Sequence, residues 1–427
     1  MKVSLNYGKR KLTLNIPEEN FAGLIEPSET ETAEDISAEL KGALYNPHGP
    51  LLDELAQNSS VCVLVEDHTR DEPHKELLRA VAPFLSDARS VTFIIATGSH
   101  EVEHPENLKI VEHVKAVAKE AKIQDYSVSI HDCHEDPMIV VGETSRRTPV
   151  VINSDAANHD LYVALADMKA HYFAGYSSAV KDFLPGICAF ESVEANHSMA
   201  VHPKSTFGRH PFHPNPERRD NPLADDMKEA YEMITEEAEV FTLSVISSSE
   251  GLVWAEAGKL EPVIMNGIEV LDETTSFTVS PTDKIIVSPG GYPQDKSLYH
   301  AQRGLELTKN AVKDGGEILF LAECRDGVAP KEAMDNFYNK LTAPLDEVLK
   351  SISTNYHLYE HKAYKFAKLL QEVRVRMFTE LDEEQVQSAH LENVGNPQEV
   401  IDEWLSENPD CRIMALNKGN KLAVYKG

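Results

Sequence analysis

Cysteine is scarce in this chain of 427 residues: there are five, Cys62, Cys133, Cys188, Cys324 and Cys411, and none forms a C-x-x-C pair. The odd number and wide spacing argue against a disulfide scaffold or a thiolate metal cluster and suit a reducing compartment. Long hydrophobic runs are missing too. No segment approaches 18 apolar residues, and the opening MKVSLNYGKRKLTL has no apolar signal core, so a cytoplasmic protein without a membrane partner is expected. Basic residues are few, 41 Lys plus Arg against 70 Asp plus Glu, which leaves a net charge of −29 with neutral His. Such a surface repels phosphate backbones, so nucleic acid is not an expected partner, although a few basic groups in a cleft can still focus an anionic small molecule. No G-x-G-x-x-G or G-x-x-x-x-G-K-[ST] follows a strand-like run, which leaves a standard dinucleotide or ATP site without support. H-E-x-x-H and 2-His-1-carboxylate spacings are also lacking.

What is present is an ordinary globular composition, 41% apolar and 26% charged. Residues 1–20 alternate around Asn6-Tyr7-Gly8 as a short hairpin, and 21–50 is mixed, with a helix near 32–42. Apolar strands at 61–65 and 91–96 then end in Glu66-Asp67-His68-Thr69-Arg70 and Thr97-Gly98-Ser99-His100. Ligands of open parallel sheets bind outside the carboxyl ends of strands, so these loops are expected to share a cleft. A second alternation of strands and helices starts near 275. The expected fold class is therefore α/β, two α/β domains with an interdomain active-site cleft, divided as 1–272 and 273–427.

Several polar residues could carry chemistry. His100 reaches the rim of the sheet on an apolar strand, either as an acid/base group or as a histidine capping the next helix. His171 opens a stretch of small residues between aromatic ones, HYFAGYSSAVKDFLPG, and could present a second ring. Two imidazoles on opposite sides of one carbon suit racemisation. Lys181 reads as a nucleophilic amine in a partly apolar setting or as a surface lysine beside Asp182. His197 is a single possible metal ligand. Arg70 could clamp a carboxylate with its planar fork or pair with Asp67 at the surface, and Asp67 could accept from a ribose hydroxyl or orient Arg70. Ser288-Pro-Gly-Gly291 reads as an anion nest or as an ordinary turn.

Taken in order, Asp67-His-Thr-Arg70, Ala96-Thr-Gly-Ser-His100, His171 to Ser177 with Lys181 and Leu184-Pro-Gly186, Asn196-His197, Asn221-Pro222, Pro289 to Asp295 and Leu298-Tyr299 resemble the nickel-pincer-nucleotide-dependent lactate racemase family. The resemblance covers most of the chain. It implies a pyridinium mononucleotide with two thiocarboxyl arms, joined through one arm to Lys181, with nickel held by two sulfurs, a ring carbon and His197. It assigns His100 and His171 as the acid/base pair, Arg70 as the substrate carboxylate clamp, and Asp67 with Thr69 as the nucleotide ribose site. Residues 1–272 then hold cofactor and catalysis, residues 273–427 close the substrate cleft, and cofactor-synthesis proteins are the partners needed for loading.

The chain also departs from the family pattern. The usual Ser-Gly-Gly-Arg-Lys around the tether is Ser177-Ser-Ala-Val-Lys181 here. A family Gln and, three positions later, Lys become His300 and Arg303, and the segment Leu358 to Lys362, matching the region of a substrate-contacting tryptophan, has none. With His300 and Arg303 as substrate contacts, the expected function is a racemase or epimerase inverting C2 of a polar 2-hydroxy acid, aldonic or dicarboxylic, through hydride transfer and a transient 2-keto acid. The alternatives are lactate racemisation by the same mechanism, a nicotinamide-dependent 2-hydroxy acid dehydrogenase, and a noncatalytic nickel-nucleotide binding protein.

Overall fold

The segment Ser60–Glu66 reads SVCVLVE and is buried from Val61 onward, as a central strand covered on both faces must be. It lies in the middle of a six-stranded sheet ordered Leu252–Gly258, Glu239–Ser247, Leu161–Asp167, Ser60–Glu66, Ser90–Ala96, Tyr126–Ile130. Neighbours run parallel except the first pair, which is antiparallel. The helices Ile36–Tyr45, His74–Val81 and Pro105–Glu120 bring Leu40, Leu44, Leu77, Leu78, Val81, Ile110, Val114 and Val117 into one apolar core with Val61, Val63 and Val65. Asp35 caps the first of these through its carboxylate and the Ala38 N–H, and Pro105 opens the last at a position where a missing N–H costs nothing.

A second six-stranded sheet is wholly parallel, in the order Glu392–Asn393, Arg374–Phe378, Val312–Leu321, Thr282–Val287, Ile413–Leu416, Phe21–Ile25. This computed structural model describes residues 1–427 except 29, 71, 72 and 249. The chain divides into the unit Thr30–Glu273, which holds the first sheet, and the unit Met1–Glu29 with Thr274–Gly427, which holds the second.

Two α/β units are therefore present, but the division 1–272 and 273–427 needs correction at its start. Phe21–Ile25 is an edge strand on Ile413–Leu416, and the hairpin Lys2–Tyr7 with Arg10–Asn15 buries Val3, Leu5, Tyr7 and Leu14 against Ile286, Leu319 and Trp404. Those side chains have their apolar partners in the later half of the chain, so the first 29 residues fold with it. The structure also has the strand Leu252–Gly258 and the helix Leu260–Thr275 ahead of the second alternation, and short turns of 3₁₀ and π-helix break off before the helix Leu345–Thr354. Pro344 accounts for that break, because it cannot sit inside a continuous helix without losing a backbone hydrogen bond.

Candidate active site

The strands Ser60–Glu66 and Ser90–Ala96 are in register to their last residues, with Glu66 opposite Ala96. Their following loops consequently leave the sheet side by side. Asp67 is 1% exposed, and its Oδ1 accepts from the Thr69 hydroxyl at 2.6 Å and the Thr69 N–H at 3.2 Å, a local turn that fixes the carboxylate. Its other oxygen, Oδ2, lies 2.8 Å from Nδ1 of His100. A carboxylate only accepts, so Nδ1 carries the hydrogen and Nε2 is the ring nitrogen left for proton exchange. Burial alone would raise the Asp67 pKa, but the charge and hydrogen bond of His100, with Arg70 and Thr69, outweigh it and hold the group well below the usual carboxylate range. The loop bearing His100 is closed by Gly98, which has φ +57° and a hydrogen bond from its N–H to the Gly186 carbonyl at 3.0 Å. That contact joins the His100 loop to the segment carrying Lys181.

Arg70 has its Nε 3.3 Å from Oε1 of Glu66 and stands in the field of Glu66, Asp67, Asp167 and Asp182. Burial disfavours its charge, but the four acids win and raise its pKa further. Asp67 also has His100 and Asp167 has Lys169, which leaves Glu66 and Asp182 to share the guanidinium, and an uncompensated buried charge costs on the order of several kcal/mol. The strain bears on Asp182, whose pKa rises well above its ordinary value through burial and then through Glu66. Glu66 Oε2 accepts the Asp167 N–H at 2.8 Å, and Lys169 meets Asp167 at 2.7 Å. Glu66, Asp167 and Asp182 were not recognised as part of this group from the sequence. Their signal was their position at strand ends and beside Lys181.

The small-residue stretch folds as the hairpin Lys169–His171 with Gly175–Ser177, followed by the short helix Val180–Phe183. A Cβ at Gly175, where φ is +82°, would stand 1.8 Å from the Arg209 carbonyl oxygen, so only glycine fits. Lys181 is 7% exposed, which removes the reading of it as a surface lysine. Its Nζ lies 3.1 Å from Nε2 of His171, whose Nδ1 accepts the Ala174 N–H at 3.2 Å.

His197 sits in the last turn of the helix Phe190–Ser198, with the Phe173 ring edge-on to it at 5.2 Å between centroids. Burial above all pushes its pKa down to about 3, so the imidazole is neutral, the form that binds a metal. Asn196 holds this helix end: its amide donates to the Leu223 carbonyl and to Asp226, which also accepts from Thr144 and Thr148. Asn221 caps the helix Pro222–Ile234 with its Oδ1 while its amide donates to the Phe173 carbonyl at 2.8 Å, tying that helix to the His171 turn.

Among the described residues no three His, Cys, Asp or Glu side chains gather as a metal site. One neutral buried imidazole beside one buried amine fits a metal that arrives with most of its donors supplied by an organic group. Asp67, Thr69, Arg70, His100, His171, Lys181 and His197 all belong to the unit Thr30–Glu273, whereas His300 and Arg303 lie on the helix Leu298–Thr308 of the other unit. There the His300 Nδ1 lies 2.7 Å from the Ser297 hydroxyl. The segment considered for a missing tryptophan carries Lys362, whose Nζ donates to the Tyr299 carbonyl at 2.6 Å and stands 4.0 Å above the Tyr299 ring. Burial, then the charge of Arg303, brings its pKa down to about 7.

The family model of the lactate racemase N-terminal domain matches residues 7–208, and that of the lactate racemase C-terminal domain matches residues 277–422. A lactate racemase of Thermoanaerobacterium thermosaccharolyticum is 30% identical over 364 residues, covering 82% of this chain and 81% of the relative. One from Lactiplantibacillus plantarum is 26% identical over 444 residues, covering 99% of each. The solved lactate racemase apoprotein from T. thermosaccharolyticum superposes with a TM-score of 0.86 at 27% identity, over 99% of this chain and 100% of that one. A Thermotoga maritima protein shares the fold, with a TM-score of 0.66 at 16% identity over 94% of this chain and 100% of its own.

Proposed function

The chain belongs to the lactate racemase family, whose members are nickel-pincer-nucleotide enzymes, and within it we propose that this racemase interconverts the two enantiomers of lactate. Lactate is preferred to the aldonic or dicarboxylic acid suggested by His300 and Arg303 because both curated relatives are lactate racemases, one of them alignable over 99% of the chain. The single observation within the molecule that carries the reading is the pairing of His100 with Asp67 in the same unit as the buried Lys181 and the neutral His197.

When bound, the nickel-pincer nucleotide supplies the acceptor and donor of hydride. Lys181 is the proposed attachment point, His197 the protein ligand of nickel, and Asp67 with Thr69 the ribose site. Arg70, kept charged by its acid neighbours, takes the substrate carboxylate. His100, with Nδ1–H held by Asp67, accepts the 2-hydroxyl proton at Nε2 as the C2 hydrogen leaves, giving pyruvate. His171 is the second group of the acid/base pair, for the opposite enantiomer. Protonated His100 or His171 would return the proton to the carbonyl oxygen of pyruvate. Burial of Lys181, Asp182 and His171 supports a site from which water is kept away while pyruvate is present. Loading by cofactor-synthesis proteins and a cytoplasmic location belong to the same proposal. Among the described residues no helix is long and apolar enough to cross a membrane, and all five cysteines are unpaired.

A second reading, a substrate with a further anionic group, is favoured by one observation, the closeness in charge of Arg303 and the buried Lys362. Both readings meet one experiment: cofactor-loaded protein is incubated with single enantiomers of lactate, malate and gluconate, and products are followed by chiral chromatography. Inversion of lactate at the highest kcat/KM supports the proposal, and inversion of malate or gluconate with no turnover of lactate overturns it. Accumulation of free keto acid with a nicotinamide would instead indicate a dehydrogenase.

A further inference from the structure

We propose that His171 has a task before any substrate arrives: it holds Lys181 as a neutral, oriented amine for attachment of the cofactor. The inference rests on the reading of Lys181 as the tether. Its own support is the direction of one hydrogen bond and the position of a second contact. Nδ1 of His171 accepts the Ala174 N–H at 3.2 Å, inside the turn of the hairpin Lys169–His171 with Gly175–Ser177. A neutral imidazole with a lone pair at Nδ1 carries its hydrogen at Nε2. Nε2 is the atom 3.1 Å from Lys181 Nζ. Two donors cannot share that contact, so the amine nitrogen accepts, which an ammonium cannot do.

The surroundings agree with a neutral amine. The adjacent Asp182 carboxyl has its pKa raised by burial and then by Glu66, which weakens its pull on an ammonium. Arg70 brings a fixed positive charge into the same group of residues. An ordinary lysine has only about one amine in a thousand unprotonated near pH 7.4. A lysine that must attack a thiocarboxyl carbon therefore gains on that order from a neighbour that selects its neutral form.

The attachment is a condensation without an oxidant. One C–N bond forms between Nζ and the thiocarboxyl carbon, one C–O bond of that carbon breaks, and the oxygen leaves as water with one proton from the amine and one from the thioacid. Sulfur stays on the carbon, as nickel binding requires. The product nitrogen is no longer basic and keeps one hydrogen, so it can no longer accept from Nε2–H. Attachment thereby ends the contact that occupies His171 and leaves that ring nitrogen for substrate.

The test is intact-mass analysis of protein co-expressed with the cofactor-synthesis proteins, with peptide mapping of the adduct. His171→Phe keeps a ring and loses the nitrogen; His171→Gln keeps an N–H that can point at Nζ. His171→Phe is expected to lower the fraction of chains bearing the adduct at least about ten-fold, and His171→Gln to restore more than half of it. Wild-type loading of His171→Phe overturns the inference while leaving the tether reading intact. Absence of any adduct on Lys181 in the wild-type protein overturns the tether reading itself. If His171→Phe is insoluble, acetylation of the apoprotein by acetic anhydride at pH 7.4 decides: Lys181 must label faster relative to the exposed Lys41 in the wild type than in His171→Met, which has no N–H to donate, and equal ratios overturn the inference.

Discussion

Nδ1 of His100 and Oδ2 of Asp67 lie 2.8 Å apart although the residues are 33 positions apart in the chain. The contact exists because parallel strands in register end together at Glu66 and Ala96. It decides which ring nitrogen of His100 faces outward and stabilises the imidazolium that forms during proton transfer.

Replacing Asp67 by Asn should remove that control. Racemisation by cofactor-loaded Asp67→Asn is expected to drop about 10²- to 10⁴-fold in kcat, as measured by chiral chromatography at equal adduct content. A variant with full adduct and unchanged kcat would show that His100 does not depend on Asp67.

Arg70→Lys exchanges a planar fork for a point charge at a position surrounded by four acids. The expected result is a rise in KM for lactate of about 10- to 100-fold, the worth of a charged hydrogen bond. Initial-rate measurements on both enantiomers check this, and an unaltered KM would take Arg70 out of carboxylate binding.

His197→Ala should lose nickel and keep the organic adduct, because the proposed tether lies 16 positions away on a different helix. Metal analysis combined with intact mass separates the two quantities. Nickel retained at the wild-type level would leave His197 without a ligand role.

Stability of the apoprotein should fall on acidification through His210. This residue is 2% exposed, and burial, then the charge of His213, pushes its pKa from 6.5 down to about 3. Between those values the unfolded chain binds a proton that the folded chain refuses. Its cost is therefore absent above pH 6.5 and grows as pH falls toward 3, by up to about 1.4 kcal/mol for each pH unit. Asp182, with a raised pKa, acts in the opposite direction, since its folded form binds the proton more readily. Urea unfolding of the apoprotein at pH 7, 6 and 5 should show a shallower dependence for His210→Gln than for the wild type. Identical dependences would assign the acid sensitivity to other groups.

The candidate site was partly legible before folding. Strand-end placement marked Asp67, Arg70 and His100, and the small residues between aromatic ones marked the stretch from His171 to Gly186, where Gly175 indeed has no room for a side chain. The choice between a buried and a surface Lys181 was not legible. Val180, Phe183 and Leu184 look alike beside either kind of lysine, and only the packed hairpin and helix exclude water from it. Glu66, Asp167 and Asp182 were hidden for a similar reason: two acids at strand ends and one on a short helix are ordinary until the structure shows that all three act on Arg70.

The sequence by itself determined the alternation of strands and helices, the family and the residue types available for chemistry, because periodicity, turn residues and ordered motifs are local properties of the chain. Tertiary structure alone decided that the first 29 residues fold with the last third, that His100 turns Nδ1 to Asp67, and that Nε2 of His171 faces Lys181. Those outcomes depend on contacts between distant segments, and burial and hydrogen-bond direction come into being only when the segments meet.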